Sequence, residues 1–274
     1  MADSGTVIAA SPNCFLAYST FTAYGEFPAL GIHHVEVPAS PGGAGGIVPE
    51  VMNADDVQRF KDRLTKIGVT PVSVGIYCNF LDHRQVAAAL RRIDFAEALG
   101  APVVVSDATR KLEVDDDEWR RLVNALRYAG DYAADHGVKI ALETHGGLTR
   151  NGSLAAKLLS AVDHPAVGVN YDTGNIYYYN EGLDPVDDIK LVSEKVFQVH
   201  LKDTIGGKGE WLFCPLGEGR VNFPGVVETL KKAGFKGAYS LELEGKRGED
   251  LNLAGHRAVI KKSVDYLRSI GLLA

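Results

Sequence analysis

The residues best suited to chemistry in this chain are three carboxylates and one imidazole, each near the C-terminal end of a short apolar run: Glu143, Asp172, His200 and Glu242. The runs read VKIALE, VGVNYD, VFQVH and AYSLE, and their β-branched and apolar residues are typical of buried parallel strands. A mixed set of oxygen and nitrogen donors suits Mn²⁺, Co²⁺, Mg²⁺ or Zn²⁺, whereas many structural zinc sites are rich in thiolates. The sequence therefore predicts one divalent metal ion bound by these four side chains.

The spacing of the four residues predicts that they meet in space. Successive members are 29, 28 and 42 residues apart, which is the scale of one strand-helix-strand step. The loop TIGGKGEWLFCPLGEGRVN lengthens the last interval. Any one of these residues could simply face solvent at a strand end, but a polar group at the same end of four strands indicates a shared ligand.

The rest of the chain alternates short apolar runs with amphipathic segments. The segments, such as ADDVQRFKDRLTKIG and HRQVAAALRRIDFAEALG, have apolar residues at helical spacing and end at glycine. Candidate strands begin at eight positions: Thr6, Ile32, Thr70, Pro102, Val138, Val167, Val196 and Ala238. This pattern predicts an α/β fold, a closed (β/α)₈ TIM barrel forming a single domain over residues 1–274. An open doubly wound sheet competes with it, but no GxGxxG follows the first strand.

Composition and charge narrow the function classes. The 274 residues are 46% hydrophobic and 23% charged, which suffices for the core of one barrel. A net charge of −6 argues against a nucleic-acid partner, because phosphate binding relies on clustered Lys and Arg. Cys14, Cys78 and Cys214 form no CxxC pair, so we expect reduced thiols in a cytoplasmic protein. The chain has neither a signal-peptide pattern nor an apolar run long enough for a membrane span, so no membrane association is expected.

Several segments resemble one known family. ALETHGG, NYDTGN, QVHLKD and PLGEGRVNFPGVVETLKKAGFKGAYSLELEG are similar to the xylose-isomerase-like TIM-barrel superfamily of sugar isomerases, ketose 3-epimerases, inosose dehydratases and type IV abasic-site endonucleases. The resemblance covers nearly the whole chain and is sharpest from Glu143 onward. It implies that Glu143, Asp172, His200 and Glu242 bind one divalent metal, with Mn²⁺ favoured. Glu244 shares a strand face with Glu242, but the family pattern GxxxxE assigns Glu242 as the ligand.

The resemblance also implies a reaction on a small-molecule sugar. We expect an isomerase or epimerase of a ketose or oxo-sugar, phosphorylated or not, that works through an enediolate stabilised by the cation. Glu143 or Glu242 would remove the proton next to the carbonyl. With one glutamate on each side of the sugar, removal from one face and return to the other would invert the carbon centre.

Departures from the epimerase pattern keep a lyase open as the alternative. Ketose 3-epimerases usually carry a histidine and an arginine where this chain has Asn175 and Gly206, and the HLKD and GEG elements are more similar to the inosose dehydratases. A dehydratase also needs a general acid, for which Lys202 or His145 could serve, although Lys202 could equally form a salt bridge with Asp203 or a ligand carboxylate. An enzyme that cleaves oxo-glycosides belongs to the same alternative.

Other expectations concern substrate contacts and partners. His145, Asn175 and Lys202 are candidate substrate contacts, and Glu36, near the end of the second strand, could reach a sugar hydroxyl. The glycine-rich SPGGAGGIVPE predicts a mobile loop over the barrel mouth, and Trp211 with Phe213 could close over a sugar ring. We expect a homo-oligomer, a dimer or tetramer, and a non-catalytic subunit that needs a partner chain stays open. An abasic-site endonuclease is disfavoured, because that branch binds a trinuclear zinc cluster with several more histidines and this acidic chain has only 8 in all.

Overall fold

The computed structural model describes residues 6–40 and 47–273, and within them a closed parallel barrel carries the candidate site. The strands are β1 Val7–Ala10, β2 His34–Pro38, β3 Thr70–Gly75, β4 Val103–Ser106, β5 Lys139–Glu143, β6 Val167–Asp172, β7 Val196–Leu201, β8 Asp203–Thr204, β9 Phe213–Cys214 and β10 Ala238–Leu241. The order around the barrel is β1, β10, β7, β6, β5, β4, β3 and β2, and every neighbouring pair is parallel. The predicted eight-stranded TIM barrel is therefore confirmed, and the open sheet is excluded.

Helices cover the outside of the barrel. They are α1 Thr20–Glu26, α2 Ala54–Ile67, α3 His83–Leu99, α4 Asp116–Asp135, α5 Gly152–Val162, α6 Thr173–Tyr179, α7 Pro185–Ile189, α8 Phe223–Lys232 and α9 Leu253–Ser269. Helix α2 illustrates the sequence signals that mark where a helix begins and ends. Asn53 forms a capping box with Asp56 at its start, and Gly68 adopts a left-handed conformation with φ 86° at its end.

Each predicted strand begins within two residues of its observed start. The four strands that carry the candidate ligands are buried along nearly their whole length, because helices cover one side of the sheet and the barrel interior lies on the other. No helix among residues 6–40 and 47–273 is long and apolar enough to cross a membrane. Residues 41–46 of the predicted mouth loop lie outside the described residues.

A small hairpin of β8 and β9 follows the seventh barrel strand and builds part of the barrel mouth. One buried carboxylate, that of Asp203, organises this loop by accepting backbone N–H groups from Thr204, Gly217, Gly219 and Val221. The close approach requires glycine at position 219, where a Cβ atom would lie 2.2 Å from Asp203 Oδ1. The segment that carries Trp211 is thereby tied to the end of the barrel.

Candidate active site

The structure brings together the four residues that the sequence singled out. Glu143 and Asp172 are the last residues of β5 and β6, His200 is the fifth residue of β7, and Glu242 follows β10 directly. All four are buried, and one donor atom from each lies within 4.8 Å of the others. The carboxyl ends of four adjacent strands therefore hold three oxygen donors and one nitrogen donor around a common point.

These donor atoms fit a cation. Glu143 Oε2, Asp172 Oδ2, His200 Nδ1 and Glu242 Oε2 are all buried, and none makes a hydrogen bond of acceptable geometry with the described residues. Buried polar atoms are normally satisfied, and three carboxylates with one imidazole are a donor set that suits a divalent cation, so the cluster could hold a metal ion. Within the described protein, the nearest cation is Lys202, whose Nζ lies 2.9 Å from Asp172 Oδ2 and 2.7 Å from Glu242 Oε2.

The electrostatics of the protein alone show how strongly the site attracts positive charge. Burial lowers the pKa of His200, but the carboxylates of Glu36, Glu242 and Glu143 outweigh burial and hold it well above its usual value. Burial likewise lowers the pKa of Lys202, and the surrounding carboxylates again produce a large net rise. The carboxylates therefore create a negative electrostatic potential at the site, which favours positive charge there.

Neutral groups orient one oxygen of each candidate ligand carboxylate. Asn13 Nδ2 donates to Glu242 Oε1 at 3.0 Å, and Asn175 Nδ2 donates to Glu143 Oε1 at 3.3 Å. Asp172 Oδ1 accepts the first backbone N–H groups of α6, for which it is the N-cap. The other oxygens, Glu143 Oε2, Asp172 Oδ2 and Glu242 Oε2, are buried without a hydrogen bond to the described residues, although Lys202 forms ion pairs with the last two.

Two of the four residues, Glu143 and Glu242, line a cavity of about 520 Å³, which is large enough for a sugar. Three of the predicted substrate contacts, His145, Asn175 and Lys202, line it. Its walls also include Tyr179, from the YYY segment that could line a pocket, and three residues that the sequence interpretation missed: Asn13, Tyr77 and Arg110. Asn13 follows β1 and could have been found by the same strand-end rule. Tyr77 could not, because its exposure to the cavity depends on a strained backbone with φ 36°.

His145 is held by a carboxylate on the neighbouring strand. Its Nδ1 lies 3.0 Å from Oδ1 of Asp107, which follows β4 directly. Burial lowers the pKa of His145, but the hydrogen bond to Asp107 and the charge of Glu143 raise it to about 9. Because Nδ1 is taken, Nε2 is the ring nitrogen left for a substrate. The contact with Asp107 therefore favours the protonated form of the imidazole.

Lys202 is embedded rather than free. It is 2% exposed, and its Nζ contacts Glu244 at 2.8 Å in addition to Asp172 and Glu242. Lys202 therefore forms salt bridges with candidate ligand carboxylates, one of the two alternatives expected from the sequence. Asp203, the other expected partner, accepts backbone N–H groups instead. Burial raises the pKa of Glu244 to about 7 against the opposing pull of Lys202.

The prediction for Glu36 is corrected by the structure. Glu36 is the third residue of β2 rather than the last, so its side chain lies inside the barrel beneath His200 and does not line the cavity. Its carboxylate is 3.0 to 3.1 Å from His200 Nε2. In the folded barrel the carboxylate of Glu36 therefore contacts His200 instead of facing the cavity.

The two aromatic residues of the loop after β7 differ in role. Trp211 lines the cavity, as expected, whereas Phe213 is 1% exposed and packs against Trp211 with ring centroids 5.1 Å apart. Lys202 Nζ lies 4.9 Å from the centroid of Phe213, a cation–π contact. Phe213 thus packs behind Trp211 and does not line the cavity.

The fold and site agree with one protein family. A family model described as Xylose isomerase-like TIM barrel matches residues 28–270, and the chain belongs to that family. Among curated proteins, the inosose dehydratase of Lacticaseibacillus casei is 25% identical over 188 residues, 58% of this chain and 62% of that protein. The chain thus spans less than two thirds of that relative's length.

Solved structures show the same fold at lower identity. A Xylose isomerase-like TIM barrel protein from Mycobacterium smegmatis in complex with magnesium has a TM-score of 0.78 and 18% identity, covering 98% of this chain and 97% of that chain. The IOLI protein with a bound zinc atom has a TM-score of 0.76 and 19% identity, covering 97% of this chain and 98% of that chain.

Proposed function

We propose that this protein is a divalent-metal-dependent enzyme that removes the proton next to the carbonyl of a ketose or oxo-sugar, as an isomerase or epimerase. The observation that carries the proposal is the convergence of four buried donor groups, two of which, Glu143 and Glu242, line a sugar-sized cavity. Glu143, Asp172, His200 and Glu242 would hold the ion, with Mn²⁺ favoured by the family resemblance.

A bound divalent ion would stabilise negative charge that develops on the substrate oxygen during proton removal. The chain itself provides the bases. Asn175 donates to one oxygen of Glu143, and Asn13 donates to one oxygen of Glu242, so both carboxylates are oriented. The two glutamates come from β5 and from the end of β10, so one can take the proton from a sugar lying between them and the other can return one to the opposite face.

Dehydration is the second candidate, and the pair of His145 and Asp107 favours it. A dehydratase takes the proton next to the carbonyl and then expels a hydroxyl one carbon further on, which leaves as water after gaining a proton. His145 lines the cavity, and hydrogen bonding to Asp107 supports its protonated form. The inosose dehydratase names of the curated relatives point to the same chemistry.

Proton exchange into substrate tests both candidates. Purified protein would be incubated with Mn²⁺ in D₂O and a panel of ketoses, oxo-inositols and oxo-glycosides, followed by NMR. Isomerisation or epimerisation gives deuterium next to the carbonyl of a saturated product, whereas dehydration gives an unsaturated ketone. We expect Glu143→Gln and Glu242→Gln to abolish exchange, and Glu228→Gln on the exposed face of α8 to preserve it. Exchange at the parent rate in both active-site variants would refute the proposal.

The cytoplasmic location and the homo-oligomer, dimer or tetramer, stay predictions. Light scattering on the purified protein would determine the oligomer. Turnover by the chain alone would argue against an obligatory partner subunit.

A further inference from the structure

A buried carboxylate that the proposed chemistry does not use lies directly beneath the candidate metal site. Glu36, in the middle of β2, is 6% exposed and hydrogen-bonds to three side chains of the barrel interior besides His200. Ser73 and Gln198 reach Oε2 at 3.0 and 2.9 Å, and Ser240 reaches Oε1. Burying a carboxylate this deeply is costly unless its partners compensate, so its retention calls for a role.

The two ring nitrogens of His200 face different partners. Nε2 lies against Glu36 at 3.0 to 3.1 Å, whereas Nδ1 faces Glu242 at 3.2 Å and Glu143 at 3.6 Å. A neutral imidazole has one N–H donor and one acceptor nitrogen, and a metal ion needs the acceptor. A carboxylate at Nε2 keeps the proton there and leaves the Nδ1 lone pair on the side of the other three donors.

We infer that Glu36 is a positioning residue that holds His200 in the ring orientation and tautomer required for metal binding, a role distinct from substrate contact. This inference rests on the proposed function. Among the described residues, His200 is the candidate ligand that Glu36 contacts directly. Ser73 and Ser240 supply hydroxyl groups to Glu36, and Gln198 supplies an amide whose Nε2 also lies 3.5 Å from His200 Nε2. Ligand histidines in proteins are commonly oriented in this way, and losing the orienting partner weakens metal affinity.

The pair Glu36→Gln and Ser73→Ala separates positioning from general stability. Glu36→Gln keeps the shape but removes the charge that secures the Nε2 proton. Ser73→Ala removes one partner of Glu36 and leaves the His200 contact intact. Both variants are expected to lose some stability, so unfolding alone does not discriminate between them.

Metal affinity discriminates between them. Titration calorimetry of the metal-stripped proteins with Mn²⁺ is expected to show about 10–100-fold weaker binding for Glu36→Gln and near-parent binding for Ser73→Ala. Equal affinity of Glu36→Gln and the parent protein would overturn the inference and leave the proposed function standing. Failure of the parent protein to bind Mn²⁺ would overturn both.

A spectroscopic measurement on the parent protein covers the case in which Glu36→Gln does not fold. Protein labelled with ¹⁵N-histidine would be loaded with diamagnetic Zn²⁺, and its long-range ¹H–¹⁵N NMR spectrum would be recorded. The signals of His200 would be assigned by their absence from the spectrum of a His200→Gln variant. We expect a proton on Nε2 and none on Nδ1. A proton on Nδ1, or a metal-bound Nε2, would overturn the inference.

Discussion

Replacing Lys202 by methionine tests the electrostatic design of the site. Its ammonium lies 2.9, 2.7 and 2.8 Å from carboxylate oxygens of Asp172, Glu242 and Glu244, and the residue is 2% exposed. Methionine preserves most of the alkyl stem, which passes over Gly174 where a Cβ atom would meet Lys202 Cγ at 2.7 Å. The variant therefore removes the charge with little change in packing.

The expected decrease in the free energy of unfolding follows from the loss of one partner in a buried ionic cluster. Such losses destabilise proteins by about 3–5 kcal/mol, because the remaining charges stay buried without compensation. For a chain of this size, that corresponds to a fall in Tm of roughly 6–20 °C. The free energy of unfolding would be measured in urea at neutral pH on metal-stripped protein. In saturating Mn²⁺ the deficit should shrink, because the ion supplies the positive charge that the carboxylates lack.

An exposed ion pair provides the matched control. Lys232 contacts Glu228 at 2.7 Å on the surface of α8, and both side chains are more than half exposed. Lys232→Met should cost less than about 1 kcal/mol. The reasoning is refuted if Lys202→Met costs no more than this control, or if Mn²⁺ leaves its deficit unchanged.

Two further predictions concern the loop that Asp203 organises and a histidine on the protein surface. Gly219→Ala should destabilise the fold by about 1–3 kcal/mol in urea, because the new Cβ would lie 2.2 Å from Asp203 Oδ1, whereas Gly207→Ala, with its nearest atom at 3.5 Å, should be nearly neutral. The hydrogen bond from His136 to Glu97 raises the pKa of His136 above its usual 6.5, so the stability it contributes is present at acidic pH and lost as pH rises through the folded pKa. The unfolding free energies of the parent protein and Glu97→Gln should therefore converge toward alkaline pH, and a constant difference would contradict the assignment.

The barrel was predictable because its signals are local. Buried parallel strands are apolar on both faces, and the helices between them start at capping residues and end at glycines such as Gly68 and Gly100. The hairpin of β8 and β9 was not predictable. Its strands have two residues each, too short for any periodicity, and Asp203 organises it through contacts up to 18 residues away.

The site was predictable where position along a strand decides the outcome. Glu143, Asp172 and Glu242 stand at strand ends, and strand ends of a barrel share one face. Glu36 shows the limit of that rule, because a difference of two residues along β2 separates the mouth from the interior, and a register shift between Val35 and Glu36 leaves no sequence signal. The three contacts of Lys202 could not be chosen from sequence, since only the folded barrel brings β7 beside the end of β10.

Anomalous X-ray diffraction from crystals grown with Mn²⁺ would show whether this protein holds a divalent ion where its donor atoms converge. We predict one strong anomalous peak in direct contact with carboxylate oxygens of Glu143, Asp172 and Glu242 and with Nδ1 of His200. Two results would contradict the metal-dependent chemistry proposed for the barrel. One is the absence of a peak at that point in a crystal whose other Mn²⁺ sites are fully occupied. The other is a peak whose ligands are other residues alone.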